Sequence, residues 1–196
     1  MEDLKLEVTY FQKTGPENTE KSLEIAEKYA KEFNIKDIII ASTTGTTAEK
    51  VIKKLNPNEY NIVIVTHSYY FVGSSLRQEF DENLMQKLKE KNIKILSSTH
   101  SMSGIERGIR INKKPWIFVD LLAKVIRQQF SQGVKVCIEI ASMVVDNGLI
   151  PDLDRDIICI AGSSKGADTV CLIKPAPTSE FMNLKVKAIL CKPLNF

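Results

Sequence analysis

Apolar segments of two different periods alternate along this chain, and that alternation leaves few folds open to it. Short β-branched runs occur at Lys36–Ala41, Asn61–Val65 and Asn92–Leu96, separated by stretches whose apolar residues recur at helical spacing. Ahead of the first run, Pro16 to Phe33 puts Leu23, Ala26, Ala30 and Phe33 on one helical face, and Gly15-Pro16 suits the entry because proline is tolerated in a first turn. Between the first two runs Ala48, Val51, Ile52 and Leu55 repeat at the same spacing, and Asn56-Pro57 ends the segment. Between the second and third, Leu76, Phe80, Leu84 and Leu88 predict another helix. This order predicts parallel strands joined by right-handed crossovers.

The second half is patterned differently. Two helices are expected in succession, Ile117 to Phe130 and Val134 to Asn147, divided by Ser131-Gln132-Gly133, the second stopping at Asp146-Asn147-Gly148. Two strands follow, Ile157–Ala161 and Thr169–Ile173, with only seven residues between them. A parallel return needs about a dozen residues or more, so this pair is expected to be an antiparallel hairpin. Val186 to Leu190 reads as a last, edge strand. The expectation is one three-layer α/β/α domain over residues 1–196 with a mixed sheet.

Composition narrows the partners. At 196 residues, 43% apolar and 26% charged, the chain has ordinary globular usage. A net charge of +3 without a basic block carries no nucleic-acid footprint. No apolar run approaches the ~18–20 residues of a membrane span, and the Met-Glu-Asp start lacks a signal peptide's pattern, so a cytoplasmic protein is expected. Cys137, Cys159, Cys171 and Cys191 sit in apolar stretches without a Cys-x-x-Cys pair and read as buried, reduced thiols.

In open α/β sheets ligands bind beyond the carboxyl ends of the strands, where strand order reverses. Four loops qualify. Ser42-Thr43-Thr44-Gly45-Thr46-Thr47-Ala48 runs from the first strand straight into a helix. Its hydroxyls, its glycine and a helix N-terminus suit a phosphate, although the same residues also make plain caps and turns. The Gly-Lys-Ser/Thr ending of a Walker loop is missing. Thr66-His67-Ser68 and Thr99-His100-Ser101 hold the two histidines, each just past a strand. They suit ligand contact or acid–base work, equally serve as polar loop residues, and lack the neighbours that would complete a metal set. Ser97 to Trp116, including Ser103-Gly104-Ile105-Glu106-Arg107, shows little periodicity and reads as a binding loop or a mobile surface loop. The hairpin loop Gly162-Ser163-Ser164-Lys165-Gly166-Ala167-Asp168 is longer than a hairpin needs. Its glycines permit close approach, its serines donate, Lys165 is cationic, and Asp168 is able to orient a hydroxyl or ring N–H.

The order of elements, the Ser-Thr-Thr-Gly-Thr-Thr turn and the terminal hairpin resemble the C-terminal domain of pyruvate kinase, where such a turn binds the phosphate of a sugar-phosphate activator. The chain is still more similar to stand-alone archaeal proteins named after that domain. Tyr10-Phe11 followed by Gly15-Pro16-Glu17-Asn18-Thr19, then Ser103–Arg107, Gly133–Cys137 and Lys165–Thr169, carry the likeness, which spans essentially the whole chain. The resemblance implies a sandwich of five main strands ordered 3-2-1-4-5, strand five antiparallel. It also implies flavin mononucleotide (FMN) at the carboxyl edge. The phosphate contacts then map to Thr43, Thr44, Gly45, Thr46 and Thr47. Gly162, Ser163, Ser164, Lys165, Gly166 and Asp168 form the neighbouring wall, and geometry puts the ring near His67 and the Ser103-Gly104 loop. Pyruvate kinase activity is not carried over, because that chemistry belongs to a (β/α)8 barrel with metal-binding carboxylates.

Two functions compete from these residues. One is an FMN-binding protein which, if an enzyme, is a flavin-dependent oxidoreductase; no catalytic residue is assigned and no metal is expected. The other is a regulatory module sensing a phosphorylated metabolite, a sugar phosphate or nucleotide. A hydrolase fits less well, since Gly-x-Ser-x-Gly and a magnesium-type carboxylate cluster are both missing. Trp116-Ile117-Phe118-Val119 suits either a homo-oligomer contact or a buried helix face.

Overall fold

Thirteen regular elements, besides two short 3-10 turns, are seen in the computed structural model, which describes residues 3–163 and 165–196. In chain order they are β1 (Thr9–Phe11), α1 (Thr19–Glu32), β2 (Asp37–Ala41), α2 (Thr46–Lys54), β3 (Asn61–Thr66), α3 (Glu82–Glu90) and β4 (Lys94–Ser97). Then follow α4 (Ile105–Lys113), α5 (Phe118–Gln129), α6 (Gln132–Asp146), β5 (Ile157–Ala161), β6 (Thr169–Lys174) and β7 (Lys185–Pro193). The strands form one sheet ordered β1-β7-β6-β5-β2-β3-β4. The five strands expected at the outset are β2 to β6, in the expected order. β2 pairs in parallel with both β3 and β5, and β5 with β6 antiparallel, Cys159 opposite Cys171.

Side-chain alternation builds the layers. In β2, Ile38 and Ile40 join the core under α1, α2 and α3, whereas Ile39 between them joins the core under α6. All three isoleucines are fully buried, which contributes about 1.5–3 kcal/mol per side chain. The four cysteines are buried free thiols, and burial pushes Cys137, Cys159 and Cys191 upward, Cys191 to about 12. Among the described residues no helix is long and apolar enough to cross a membrane.

Four expectations need correction. The sheet has seven strands rather than five main ones, and β7 is not its edge. β1 pairs in parallel outside β7, matching Thr9 with Cys191, and three residues are too few to show a period. The helix expected around Leu76 and Phe80 starts only at Glu82: Gln78 Oε1 accepts the N–H groups of Glu79 and Phe80, and Asp81 caps Leu84 N at 2.7 Å. The segment Ser97–Trp116 contains α4, which buries none of its residues. Finally, of the two readings of Trp116–Val119 only the buried helix face is overturned: Trp116 and Phe118 are exposed, Phe118 at 79%, as are Leu121 and Val125 further along α5.

Candidate functional site

The turn from β2 into α2 is held from below and left open above. Ser42 N donates to Val65 O at 2.9 Å, Thr66 Oγ1 donates to Thr43 O at 2.9 Å, and Ala48 N donates to Ser42 Oγ at 3.3 Å. Gly45, at φ +103°, caps α2, and a Cβ there would lie 2.5 Å from Leu84 Cδ2. These contacts tie down the loop's ends and carbonyls. Among the described residues, no protein acceptor takes the N–H groups of Thr44, Gly45, Thr46 or Thr47. A nine-residue helix thus presents its free amides and positive dipole end beside the Thr44 and Thr46 hydroxyls, which lie 3.2 Å apart.

Across the sheet's carboxyl edge stands the β5–β6 loop. Asp168 is 1% exposed and spends its carboxylate on the loop itself, accepting from Ser163 N at 3.3 Å and Thr169 Oγ1 at 2.9 Å. The loop is clamped to the entry of α1: Ala167 N donates to Thr19 Oγ1 at 3.0 Å, and Ser22 Oγ donates to Ala167 O at 3.3 Å. Gly166, at φ +82°, lies so close to Pro16 that a Cβ would sit 2.5 Å from its Cα. The clamp leaves Ser163, Lys165 and Gly166 lining the same cavity as the cradle, and the Ser163 hydroxyl is buried without a partner among the described residues.

Between these loops lies a cavity of about 480 Å³, within the usual range for small-molecule sites. Its far wall comes from α4, α5 and α6. Lys135, 2% exposed, reaches Glu139 Oε2 at 2.6 Å, and Glu139 Oε1 accepts Met102 N at 3.1 Å. Burial works to raise Glu139, but its bonds to His100 and to the Lys135 ammonium outweigh it and hold the carboxyl at about 2. Burial pulls Lys135 below the ordinary lysine value, against the pull of Glu139. Arg110 Nε donates to Asp120 Oδ1 at 3.2 Å, and Arg127 Nε donates to Gln132 Oε1 at 2.6 Å.

Two histidine–carboxylate pairs meet at the middle of the cavity. His67 Nδ1 lies 2.6 Å from Glu79 Oε2, and His100 Nδ1 lies 3.4 Å from Glu139 Oε2. The rings are 5.0 Å apart, and Phe71 stands against both, at 4.0 Å from His67 and 4.8 Å from His100. Burial lowers His67 below its ordinary 6.5, despite the opposing Glu79 bond, so the ring is neutral at pH 7. A carboxylate only accepts; the His67 proton is therefore assigned to Nδ1, which leaves Nε2 as an acceptor. Among the described residues, no set of three or more His, Cys, Asp or Glu side chains is gathered as for a metal ion.

The cavity wall brings together Thr43, Thr44, Thr46, Thr47, His67, Ser103, Gly162, Ser163, Lys165 and Gly166 of the residues expected there. Gly45 is the pivot behind the cradle rather than a lining residue, Asp168 is the buried brace of its loop, and Gly104 lines a neighbouring groove. Ser164 lies outside the described residues. Glu79, Asp120, Arg127, Lys135 and Glu139 line the cavity without having been expected. The available sign was Lys135 and Glu139, four residues apart within the apolar run of α6, where buried charges need partners. A family model described as "Pyruvate kinase, alpha/beta domain" matches residues 20–173 of the chain.

Proposed function

This chain belongs to the pyruvate kinase alpha/beta domain family, and on that premise we propose that its cavity binds flavin mononucleotide. The observation that carries the reading is the cradle: free amides and threonine hydroxyls at the start of α2 line the cavity, with the Ser163 hydroxyl, buried and without a partner among the described residues, in the same lining. A phosphomonoester suits such donors, because helix-terminal N–H groups and the helix dipole favour an anion. Charge supports it too. Arg107, Arg110, Arg127, Lys135 and Lys165 line the cavity against Glu79, Asp120 and Glu139, an excess of two positive charges that balances a phosphate dianion.

The residues present fit the group. Thr43, Thr44, Thr46, Thr47 and Lys165 hold the phosphate in this reading, and Phe71, His67 and His100, packed on one another at 4.0–5.0 Å, put aromatic surface in the cavity wall. When bound, a flavin supplies hydride and one-electron chemistry of its own. The protein's part is to orient it, to shield one side from water with α4 and α5, and to hold a proton acceptor at His67 Nε2. Pyruvate kinase activity forms no part of the reading: the matched family is that of the alpha/beta domain, and the described residues build the sandwich. The charge excess also suits a second reading, a sensor of a sugar phosphate or nucleotide, which the same experiment separates.

That experiment is the visible spectrum of freshly purified protein, with the released ligand identified by mass. The expected result is a flavin spectrum at one ligand per chain. A colourless protein that also leaves added FMN unbound would overturn the flavin reading and favour the metabolite sensor.

A further inference from the structure

Beside the cavity, and sharing Phe71, Ser103 and Arg107 with it, runs an open groove of about 520 Å³. One side is the loop after β3, from Ser68 to Gly73, and the other is the segment from Ser103 to Ile111 that leads into α4. Tyr70, Val72, Ile105 and Ile111 line it, each at least 49% exposed. Large apolar side chains gathered along one open groove mark a surface that a bound molecule covers.

Among the described residues Arg107 is the one charged group in that lining. The chain has five arginines. Arg77, Arg110 and Arg155 pair with Glu82, Asp120 and Asp152, and Arg127 Nε donates to Gln132. Arg107 has no hydrogen-bond or ion-pair partner among the described residues; its guanidinium lies over the Phe71 ring, 4.2 Å from the centroid. Such a contact steadies the guanidinium and leaves its N–H donors unspent, while its charge still adds to the field over the cavity. Gly108 is a second, independent sign. It lies in the middle of α4, where glycine is a poorer helix former than alanine, yet a Cβ there would meet nothing within 4 Å. The packing of the chain gives no reason for a glycine at this point of the groove, whereas a molecule lying against α4 does.

The groove's chemistry narrows the molecule. One cation with no acidic residue beside it matches a single negative charge, and a phosphate dianion would exceed it. The planar fork of a guanidinium suits a carboxylate, and apolar side chains on both sides suit a hydrocarbon body. We propose that the groove binds a small organic monocarboxylate, its carboxylate on Arg107 and its apolar body between the Tyr70–Val72 loop and α4. The site is separate from the phosphate cradle, and the assignment does not rest on the flavin reading.

The test is a titration of the full chain with 3-phenylpropanoate, followed by backbone amide NMR shifts, with 3-phenylpropanamide and acetate as controls. The amide keeps the body and loses the charge; acetate keeps the charge and loses the body. The expected result is saturable binding of 3-phenylpropanoate that moves the Gly73, Gly104 and Gly108 signals, with both controls weaker by at least about tenfold. Arg107→Gln is expected to bring the acid down to the level of the amide. Gly108→Phe is expected to keep the parent's thermal midpoint and its FMN titration while weakening the acid by about tenfold or more. Should that variant not fold, Gly108→Leu takes its place. Equal binding of acid and amide to the unmodified chain would overturn the carboxylate assignment. Undiminished binding by the folded Gly108 variant would overturn the placement in the groove. A loss of FMN affinity in that variant would mean that the flavin itself reaches the groove, and would overturn the proposal while keeping the flavin reading. No binding of 3-phenylpropanoate to the unmodified chain would overturn the proposal and leave the flavin reading untouched.

Discussion

Gly45 turns the chain from β2 into α2 with φ at +103°, and its missing Cβ leaves room for Leu84 Cδ2, which a methyl would meet at 2.5 Å. Two demands fall on one position: a left-handed backbone and close packing behind the cradle. Gly45→Val is therefore expected to weaken phosphate-ligand binding and to destabilise the fold as well, by about 2–4 kcal/mol from strain and overpacking together. A denaturant midpoint and an FMN titration on the same variant check it; a variant as stable and as tight as the parent would contradict the cradle's geometry. Gly45 was legible in advance as a turn residue, because a glycine between a strand and a helix permits the left-handed backbone seen there. Asp120 and Arg127 were not, because a charge in an amphipathic helix reads as solvated until the tertiary structure shows it facing a cavity. Asp168 was legible as a loop residue, but its task is to brace Ser163 and Thr169 rather than to face the cavity.

Among the elements, α6 and α4 stand at opposite extremes. α6 is buried along most of its length, with Val134, Cys137, Ile140, Ala141 and Val144 in the core beneath the sheet. α4 buries no residue, and Ile105 and Ile109 remain exposed, Ile105 at 82%. Local stability follows burial, so backbone amides of Ile109–Lys113 are expected to exchange with solvent at least about a hundredfold faster than those in the middle of α6. Hydrogen exchange with mass or NMR detection reads this directly. Equal protection would mean that α4, with the exposed Phe118, Leu121 and Val125 of α5 beside it, is covered by a second copy of the chain. The same contrast explains what sequence periodicity found and missed. α1, α2 and α6 pack on the sheet, so their apolar spacing is strict. Gly104 and Gly108 weaken the helical signal of α4, and β1 gains its place only from pairing with β7.

For the molecule as a whole, the antiparallel β5–β6 pair was readable because a seven-residue connection cannot make a parallel crossover, whereas the order of the strands was implied only by the family resemblance. The far wall was not readable, since it depends on three helices meeting beyond the sheet's edge. That wall sets the response to acid. The Glu139 carboxyl is held at about 2 against an ordinary 4.5, so the folded chain binds this proton less readily than the unfolded one. Its stabilisation is complete above about pH 4.5 and is lost as pH falls toward 2, on the order of 3 kcal/mol in all. Thermal unfolding across that range is expected to show the loss. Glu139→Gln should be less stable at pH 7, with Lys135 left unpaired, and flatter between pH 4.5 and 2; an unchanged slope would contradict the pairing.

The central claim is that a phosphate cradle and the cavity behind it together hold a flavin, and the phosphate's share is isolated by titrating the purified, ligand-stripped chain with FMN and with riboflavin in parallel. The two ligands share the ring and differ only in the phosphate. Saturable binding of FMN at one per chain, with riboflavin weaker by about a hundredfold or more, is the predicted result, in line with a charge-assisted anion site. Equal affinity for both would take the cradle out of the account. Binding of neither would contradict the account as a whole.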